Sequence, residues 1–340
     1  MSGSLATKYR PHTFDEVVGQ ESIVKILKRQ IELGEIPNSL LFCGSSGCGK
    51  TTLARIFAND INKNSGRPIE IDAASNNGVD NVRSIIANAD QRAIDSEYKV
   101  FIIDECHSLT SQSWQAFLKC IEEPPKYTIF IFCTTDPQKI PATILNRVMR
   151  FNFRKIDPSK IEARLRTICA EEGCTNYMDC CSYISRISNG QLRDAISNLE
   201  KCIAYDKDLN MNNVYTALGD LSYQLMFDLF NSIIDGNENN VIEILQNLNN
   251  KGLDVKLFVE QLLEFCLDVI KYIVTKDLRC TKFSAALLPD VERLINFDTA
   301  RAYYSFIMNN IFSLKEAIKN DLNPFSTLQV WLIKTTRGES

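Results

Sequence analysis

Residues 40–52 read Leu40-Leu41-Phe42-Cys43-Gly44-Ser45-Ser46-Gly47-Cys48-Gly49-Lys50-Thr51-Thr52, and this stretch decides the fold. An apolar run, a glycine-rich loop matching G-x-x-x-x-G-K-[ST] and a helical pattern follow one another in the order strand, loop, helix. The glycines let the backbone curl until its N–H groups converge on phosphate oxygens. The lysine serves the β and γ phosphates, the next hydroxyl serves Mg²⁺, and the helix start adds the positive end of its dipole. The stretch therefore predicts a phosphate-binding loop, with Lys50 as the phosphate cation and Thr51 as a metal ligand.

Such a loop needs a second element to hold the metal and polarise water. Val100-Phe101-Ile102-Ile103-Asp104-Glu105 is an apolar strand ending in two carboxylates, a Walker B pattern. Asp104 is expected to hold Mg²⁺ and Glu105 to polarise the attacking water, a pairing that favours hydrolysis over nucleotide storage.

Working outward, residues 1–155 alternate β-branched runs with helical patterns, as a parallel sheet covered on both faces requires. Strands are expected at Ser39–Cys43, Ile69–Asp72, Lys99–Ile103 and Thr128–Thr134, and helices at Ser22–Leu33, Lys50–Asn62, Asp80–Arg92 and Ser111–Glu122. Trp114, Phe117 and the run Leu145–Phe153 read as core or subunit packing. After Phe153 the β signal disappears and amphipathic helices take over. The expected domains are an α/β nucleotide domain at 1–155, a helical unit at 156–218 and a longer helical bundle at 219–340, with breaks near Gly236, Gly252 and Pro289. The apolar stripes of the bundle, such as Leu257-Phe258-Val259 and Leu314–Trp331, read mainly as core, with one stripe left over for contact between subunits.

Composition fits this picture. With 340 residues, 45% hydrophobic and 24% charged, the chain is an ordinary globular protein and not a disordered or fibrous one. The net charge of −4 divides into +2, −2 and −4 over the three regions, so the acidity belongs to the helical tail. No apolar run approaches a membrane span, and Met1–Arg10 lacks a signal-peptide core, so a cytoplasmic protein is expected. The 12 cysteines are scattered through apolar stretches and read as reduced, buried thiols.

Further motifs carry a family resemblance: Lys8-Tyr9-Arg10-Pro11 with Phe14-Asp15-Glu16-Val17-Val18-Gly19-Gln20, Asp104-Glu105-Cys106-His107, Leu118-Lys119-Cys120-Ile121-Glu122-Glu123-Pro124-Pro125, and Thr134-Thr135-Asp136-Pro137-Gln138-Lys139-Ile140-Pro141. Together they closely resemble the gamma/tau subunits of bacterial DNA polymerase III, densely to about residue 200 and more weakly beyond. The resemblance implies an AAA+ fold, an α/β P-loop nucleotide domain followed by an all-α lid and an all-α collar. It implies an ATPase that opens a sliding clamp and loads it on primed DNA, without polymerase chemistry of its own. The partners implied are other clamp-loader subunits, the sliding clamp and primer–template DNA gripped by its phosphates, with no membrane.

Carried over residue by residue, the resemblance places Tyr9, Arg10, Pro11, Val17, Val18 and Gly19 around adenine. ATP phosphates fall to Gly44, Ser45, Ser46, Gly47, Cys48, Gly49, Lys50, Thr51 and Thr52. Thr134 and Thr135 take the sensor-1 position. Arg147 matches an arginine finger acting in trans on a neighbour's ATP, and Arg193, in Gly190-Gln191-Leu192-Arg193-Asp194-Ala195, matches sensor 2. Each arginine would set fixed positive charge against charge developing on the phosphoryl group. DNA phosphates would meet Asn76, Asn77, Arg83 and the basic group around Arg150. Lys119 matches a position that couples DNA contact to the catalytic glutamate, and also suits an ordinary solvated helix lysine.

Two departures stand out. The finger sits in Asn146-Arg147-Val148, where the family usually has Ser-Arg-Cys. The family's four-cysteine zinc module, normally inserted after the P-loop helix, is absent, because Ala58–Pro68 contains no cysteine; no structural zinc is expected. Cys169, Cys174, Cys180 and Cys181 lack paired C-x₂₋₄-C spacing and read as helix-face packing. Cys106-His107 is not expected to act as a nucleophile. Another AAA+ DNA remodeller, such as a branch-migration or mobile-element replication motor, is the second reading. A silent scaffold subunit is the third, against which the intact Lys50 and Thr51 stand.

Overall fold

The computed structural model describes residues 4–219, 223–250, 252–283, 287–297, 299–319 and 321–337. Residues 220–222, just past the expected domain boundary at 219, lie outside them. Five strands, β1 (Ser39–Cys43), β2 (Ile69–Asp72), β3 (Lys99–Asp104), β4 (Thr128–Thr134) and β5 (Met149–Asn152), form one sheet in the order β2-β3-β4-β1-β5, parallel at every pairing. The helices are α1 (Leu5–Lys8), α2 (Glu21–Leu33), α3 (Lys50–Ile61), α4 (Val79–Ala89), α5 (Ser111–Glu122), α6 (Ala142–Leu145), α7 (Pro158–Glu172), α8 (Tyr177–Ile187), α9 (Leu192–Tyr205) and α10 (Met211–Leu218). Six more follow: α11 (Tyr223–Ile234), α12 (Glu238–Asn250), α13 (Val255–Thr275), α14 (Leu288–Leu294), α15 (Ala300–Lys319) and α16 (Pro324–Arg337).

The central strands read as unbroken apolar runs because both of their faces are buried. Leu40 and Phe42 of β1, Val100 and Ile102 of β3, and Ile129 and Ile131 of β4 pack with Ile23 and Leu27 of α2 and Leu53 and Phe57 of α3. The alternate residues Leu41, Phe101, Ile103, Phe130 and Phe132 pack on the opposite face with Val82 of α4 and Trp114 and Phe117 of α5. Aromatic rings lock that second face, with Phe117 edge-on to Phe132 at 5.5 Å and to Phe130 at 5.7 Å.

Two local outcomes differ from the sequence expectation. The Leu145–Phe153 run, read as packing, contains the edge strand β5, which pairs with β1 through Leu40↔Met149 and Phe42↔Phe151. Only Phe151 of its four residues is buried, so its apolar signal is too short to announce a strand. Helix α4 ends at Ala89 rather than Arg92. Thr128 Oγ1 donates to the Ala89 carbonyl at 2.8 Å, and Lys99 Nζ donates to the carbonyls of Asn88 and Gln91 at 2.7 and 3.1 Å, satisfying the last turn from outside. As expected, a helix boundary lies near Pro289, which sits in the first turn of α14, where its missing N–H costs nothing.

The chain divides into two compact units. The first comprises residues 1–174 and 184–200 and holds the sheet, α1–α7 and most of α9. The second comprises residues 175–183 and 201–340 and is helical. In its centre Phe230 stacks on Phe265 at 5.0 Å, and Phe227 meets Phe265 edge-on at 5.2 Å. Among the described residues no helix is long and apolar enough to cross a membrane.

Candidate functional site

The cleft at the carboxyl ends of β1 and β3 lies wholly within the first unit. It is lined by the loop and helix start from Ser46 to Thr52, by Asp104 and Glu105, by Tyr9, Arg10, Pro11, Val17 and Val18, and by Leu192, Arg193 and Ile196. Parallel sheets place ligands at this end because the loops there open outward and a helix N-terminus points in.

The phosphate end is built by the loop. Gly49 adopts φ +101 immediately before α3, a conformation that turns the chain sharply from loop into helix and that L side chains avoid. Lys50 is buried, 6% exposed, and its ammonium donates to the carbonyls of Gly44 and Ser45 at 2.9 and 3.0 Å. Among the described residues no carboxylate pairs with it, so a buried cation faces the cleft with its charge compensated only by carbonyl dipoles. Such a group fits an anion, which would complete what the protein leaves open. Cys48, inside the loop, points down into the sheet core and anchors it there. Gln20 holds the loop from the side, donating to the Cys48 carbonyl at 3.3 Å and to the Arg154 carbonyl at 2.8 Å.

At the metal end, Thr51 Oγ1 donates to Asp104 Oδ2 at 2.7 Å. A hydroxyl and a carboxylate at the mouth of the loop are the hard oxygen donors that Mg²⁺ selects, and both could serve it with a triphosphate. Glu105 follows in a left-handed backbone conformation, φ +46. That turn separates it from the strand and brings it into the cleft lining beside Asp104. Thr135 Oγ1 donates to Glu105 Oε2 at 3.1 Å.

The opposite end is apolar. Tyr9, Pro11, Val17, Val18, Ile156 and Ile196 supply flat walls suited to a base. Tyr9 is fixed from behind: its hydroxyl donates to Glu172 Oε1 at 2.7 Å, and Arg164 donates to its carbonyl at 3.0 Å. Burial, reinforced by the Glu172 carboxylate, raises the phenol's pKa. A nucleoside triphosphate with Mg²⁺, were it bound there, would supply the phosphoryl electrophile and the cation that neutralises its charge. The protein positions the loop amides, the ammonium and the carboxylates around it.

The structure sorts the residues expected from sequence. Ser46, Gly47, Cys48, Gly49, Lys50, Thr51, Thr52, Asp104, Glu105, Tyr9, Arg10, Pro11, Val17, Val18 and Arg193 share the one cleft. Gly44 and Ser45 lie behind it as acceptors for Lys50. Gly19 turns away and abuts Ile156. Thr134 is buried at the end of β4, and Thr135 reaches the cleft only through Glu105. Arg147 does not line its own chain's cleft: it pairs with Glu122 at 2.7 Å and donates to the Thr143 carbonyl at 2.8 Å.

The DNA candidates stand apart from the cleft. Asn76 bonds back to the Asp72 carbonyl, the Asn77 carbonyl accepts from Ser113 Oγ at 2.6 Å, Arg83 pairs with Asp80 at 3.1 Å, and Arg150 donates to Asn152 at 2.8 Å. Among the described residues no group of three or more His, Cys, Asp or Glu is placed to hold a metal together.

Sequence reading missed three participants. Gln20 reads as one more polar residue before a helix, and nothing local marks its reach to Cys48. Gln191, with its amide nitrogen turned toward the loop, donates to the Ser46 carbonyl at 3.0 Å and to Asp194 at 3.1 Å. His107 Nδ1 lies 3.2 Å from Glu105 Oε2 and 3.2 Å from Thr134 Oγ1.

Comparison with known proteins agrees with this architecture. Residues 67–157 match the family model described as DNA polymerase III, delta subunit, and residues 209–337 match that of DNA polymerase III subunits gamma and tau, domain III. The chain is 32% identical over 327 residues to the DNA polymerase III subunit gamma/tau of Mycoplasma genitalium, covering 89% of this chain and 54% of that protein. It is 34% identical over 286 residues to the DNA polymerase III subunit tau of Bacillus subtilis, covering 78% and 51%. The chain thus spans about half the length of these relatives. Among solved structures, the Thermotoga maritima RuvB Holliday junction branch migration motor superposes with a TM-score of 0.53 at 19% identity over 66% of this chain and 79% of that one, a likeness of fold. With its five-stranded parallel sheet, its P-loop cleft and its helical C-terminal region, this chain belongs to the gamma/tau family of DNA polymerase III subunits, an AAA+ nucleotide domain followed by all-α domains.

Proposed function

We propose that this chain is an ATP-hydrolysing motor subunit of a cytoplasmic clamp loader, which opens a sliding clamp and loads it onto primed DNA during replication. The observation that carries the reading is the joining, in one cleft, of a buried and otherwise uncompensated Lys50, the Thr51–Asp104 hydroxyl–carboxylate pair and Glu105 beside an apolar slot. In this reading Lys50 and the loop amides bind the β and γ phosphates, Thr51 and Asp104 hold Mg²⁺, and Glu105 accepts a proton from the attacking water. Arg193 completes the charge from the α9 side. Arg147, absent from its own cleft, serves the ATP of a neighbouring subunit in a ring or spiral. Domains at 1–155, 156–218 and 219–340 act as motor, lid and collar, with DNA gripped through phosphates by Asn76, Asn77, Arg83 and Arg150. No zinc is required.

The test is ATP turnover of the assembled protein with and without primed DNA and a sliding clamp, scored together with loading of the clamp. Stimulation by both and clamp transfer to DNA are expected. ATP binding without either response would exclude clamp loading and return the chain to the wider class of AAA+ remodellers.

A further inference from the structure

We propose that His107 is a positioning residue for Glu105: its Nδ1–H and the Thr135 hydroxyl together pin one carboxylate oxygen, Oε2, and leave Oε1 as the oxygen that takes the proton from water. The inference rests on the reading of Glu105 as the general base and says which of its atoms does that work.

The local backbone makes the arrangement. Glu105 leaves β3 with φ +46, and a tight turn follows at once, with Ser108 N–H bonded to the Glu105 carbonyl at 3.0 Å and Leu109 N–H to the Cys106 carbonyl at 3.1 Å. Cys106 is fully buried beneath this turn, so residues 105 and 107 emerge on the same side, with His107 19% exposed. His107 Nδ1 then sits 3.2 Å from Glu105 Oε2, the same oxygen that accepts from Thr135 Oγ1 at 3.1 Å. Among the described residues no hydrogen-bond partner reaches Oε1.

The proton on the ring follows from the neighbours. An ionised carboxylate offers only lone pairs, so the contact is attractive only with hydrogen on Nδ1. Thr134 Oγ1, 3.2 Å from the same nitrogen, already accepts from the Asp136 N–H at 3.0 Å and keeps a lone pair for the imidazole. The alternative tautomer, in which Nδ1 accepts from the Thr134 hydroxyl, would turn a lone pair toward Oε2 and release it. Two donors on one oxygen fix the carboxylate plane, and a general base must be held within hydrogen-bonding reach of its proton to be effective. His107 touches neither nucleotide nor water in this account and acts only through Glu105.

The experiment uses the full chain and three substitutions. His107→Phe keeps ring volume and removes the donor; it should lower kcat about 10- to 100-fold, the scale of a misplaced catalytic group, while binding of a fluorescent ATP analogue and the melting temperature stay unchanged. His107→Asn, whose amide N–H stands where Nδ1–H stood, should recover most of kcat, and His107→Gln, which reaches farther, should recover less. Nitrogen NMR of His107 should show Nδ1 protonated. A kcat within twofold of the parent in His107→Phe, Asn no better than Phe or Gln, or an unprotonated Nδ1 would overturn the proposal; should the Phe variant fail to fold, the Asn against Gln comparison decides it. Glu105→Gln in parallel separates the two readings: if it retains turnover, Glu105 is not the base, whereas loss of turnover there with normal kcat in His107→Phe removes the histidine alone.

Discussion

Gly190 joins the cleft's helical wall to the rest of the first unit, and replacing it with alanine should damage both stability and nucleotide affinity. Its φ is +80, and an added Cβ would lie 2.6 Å from Lys155 Cβ and 3.2 Å from the backbone N and O of Ile156. The left-handed conformation costs an L residue about 1–2 kcal/mol. The contact adds overpacking of about 1–3 kcal/mol, because both β-carbons are fixed to backbone and no rotamer relieves them. It also strains the Ile156 N–H bond to the Gly190 carbonyl, now 3.1 Å. Gly34→Ala is the control, since Gly34 has φ +69 with nothing within 4 Å of the added carbon, and so meets the conformational cost alone. The difference between the two variants should therefore be about 1–3 kcal/mol, or roughly 2–12 °C in melting temperature for a unit of this size. Trp114, 2% exposed in the sheet core, reports the first unit once Trp331 is replaced by Phe. Because Leu192 and Arg193 follow directly and line the cleft, Gly190→Ala should also weaken ATP binding while Gly34→Ala does not. Equal melting temperatures for the two variants would refute the reading of Gly190 as a contact-limited position.

Lys50→Ala should abolish ATP binding in equilibrium dialysis, whereas Glu105→Gln should bind ATP normally and lose about 100-fold or more in turnover; unchanged turnover in Glu105→Gln would remove it as the base. Mixing Arg147→Ala with Lys50→Ala subunits should restore part of the hydrolysis that each lacks alone, since a Lys50→Ala subunit still offers its Arg147 to the intact cleft of an Arg147→Ala neighbour; no recovery would count against action in trans. Eleven cysteines are buried and Cys280 is exposed, so a chromogenic thiol reagent should titrate one thiol in the native chain, and a count of three or more would contradict the packing. Burial raises the thiol pKa of Cys106 and Cys133 and brings that of Cys120 to about 11. A raised folded-state pKa stabilises below the unfolded value and is lost as pH rises toward the folded one. Stability should therefore fall between about pH 9 and 11, and less steeply in Cys120→Ala, as followed by urea titration; an equal slope would show that Cys120 ionises alike in both states and that burial does not raise its pKa.

What was legible in the sequence had a local cause. The strands β1 and β4 fall at their expected residues because buried central strands are apolar throughout, and the exposed edge strand β2 does so through its short Ile-Glu-Ile-Asp alternation. The loop from Gly44 to Thr51 declares itself because phosphate binding needs those residue types in consecutive positions. The strand β5 stayed hidden because its partner, not its composition, makes it a strand: Arg150 and Asn152 face out, and only the pairing to Leu40–Cys43 gives it a ladder. The cleft divides in the same way. Lys50, Thr51, Asp104 and Glu105 carry chemistry in their identity, whereas Gln20 and Gln191 matter through a carbonyl on a distant loop, a relation that spacing along the chain does not encode.

His107 shows why that limit has a physical basis. Read in sequence, Cys106-His107 closes a motif shared with the family but has no stated role, and the chemistry usually asked of such a pair is nucleophilic. The fold answers differently by assigning opposite environments to neighbours: Cys106 goes fully inside, where burial suppresses its thiolate, and His107 turns back over Glu105. A backbone φ of +46 at one residue sets that inversion. Changing the turn would move the histidine without altering its chemistry, so Cys106→Ser, which leaves every donor around Glu105 in place but puts a hydroxyl where the thiol is fully buried, should lower kcat by loosening the turn, with ATP affinity retained. Unchanged turnover in that variant would show that the turn holds without its buried anchor and that the two side chains are independent.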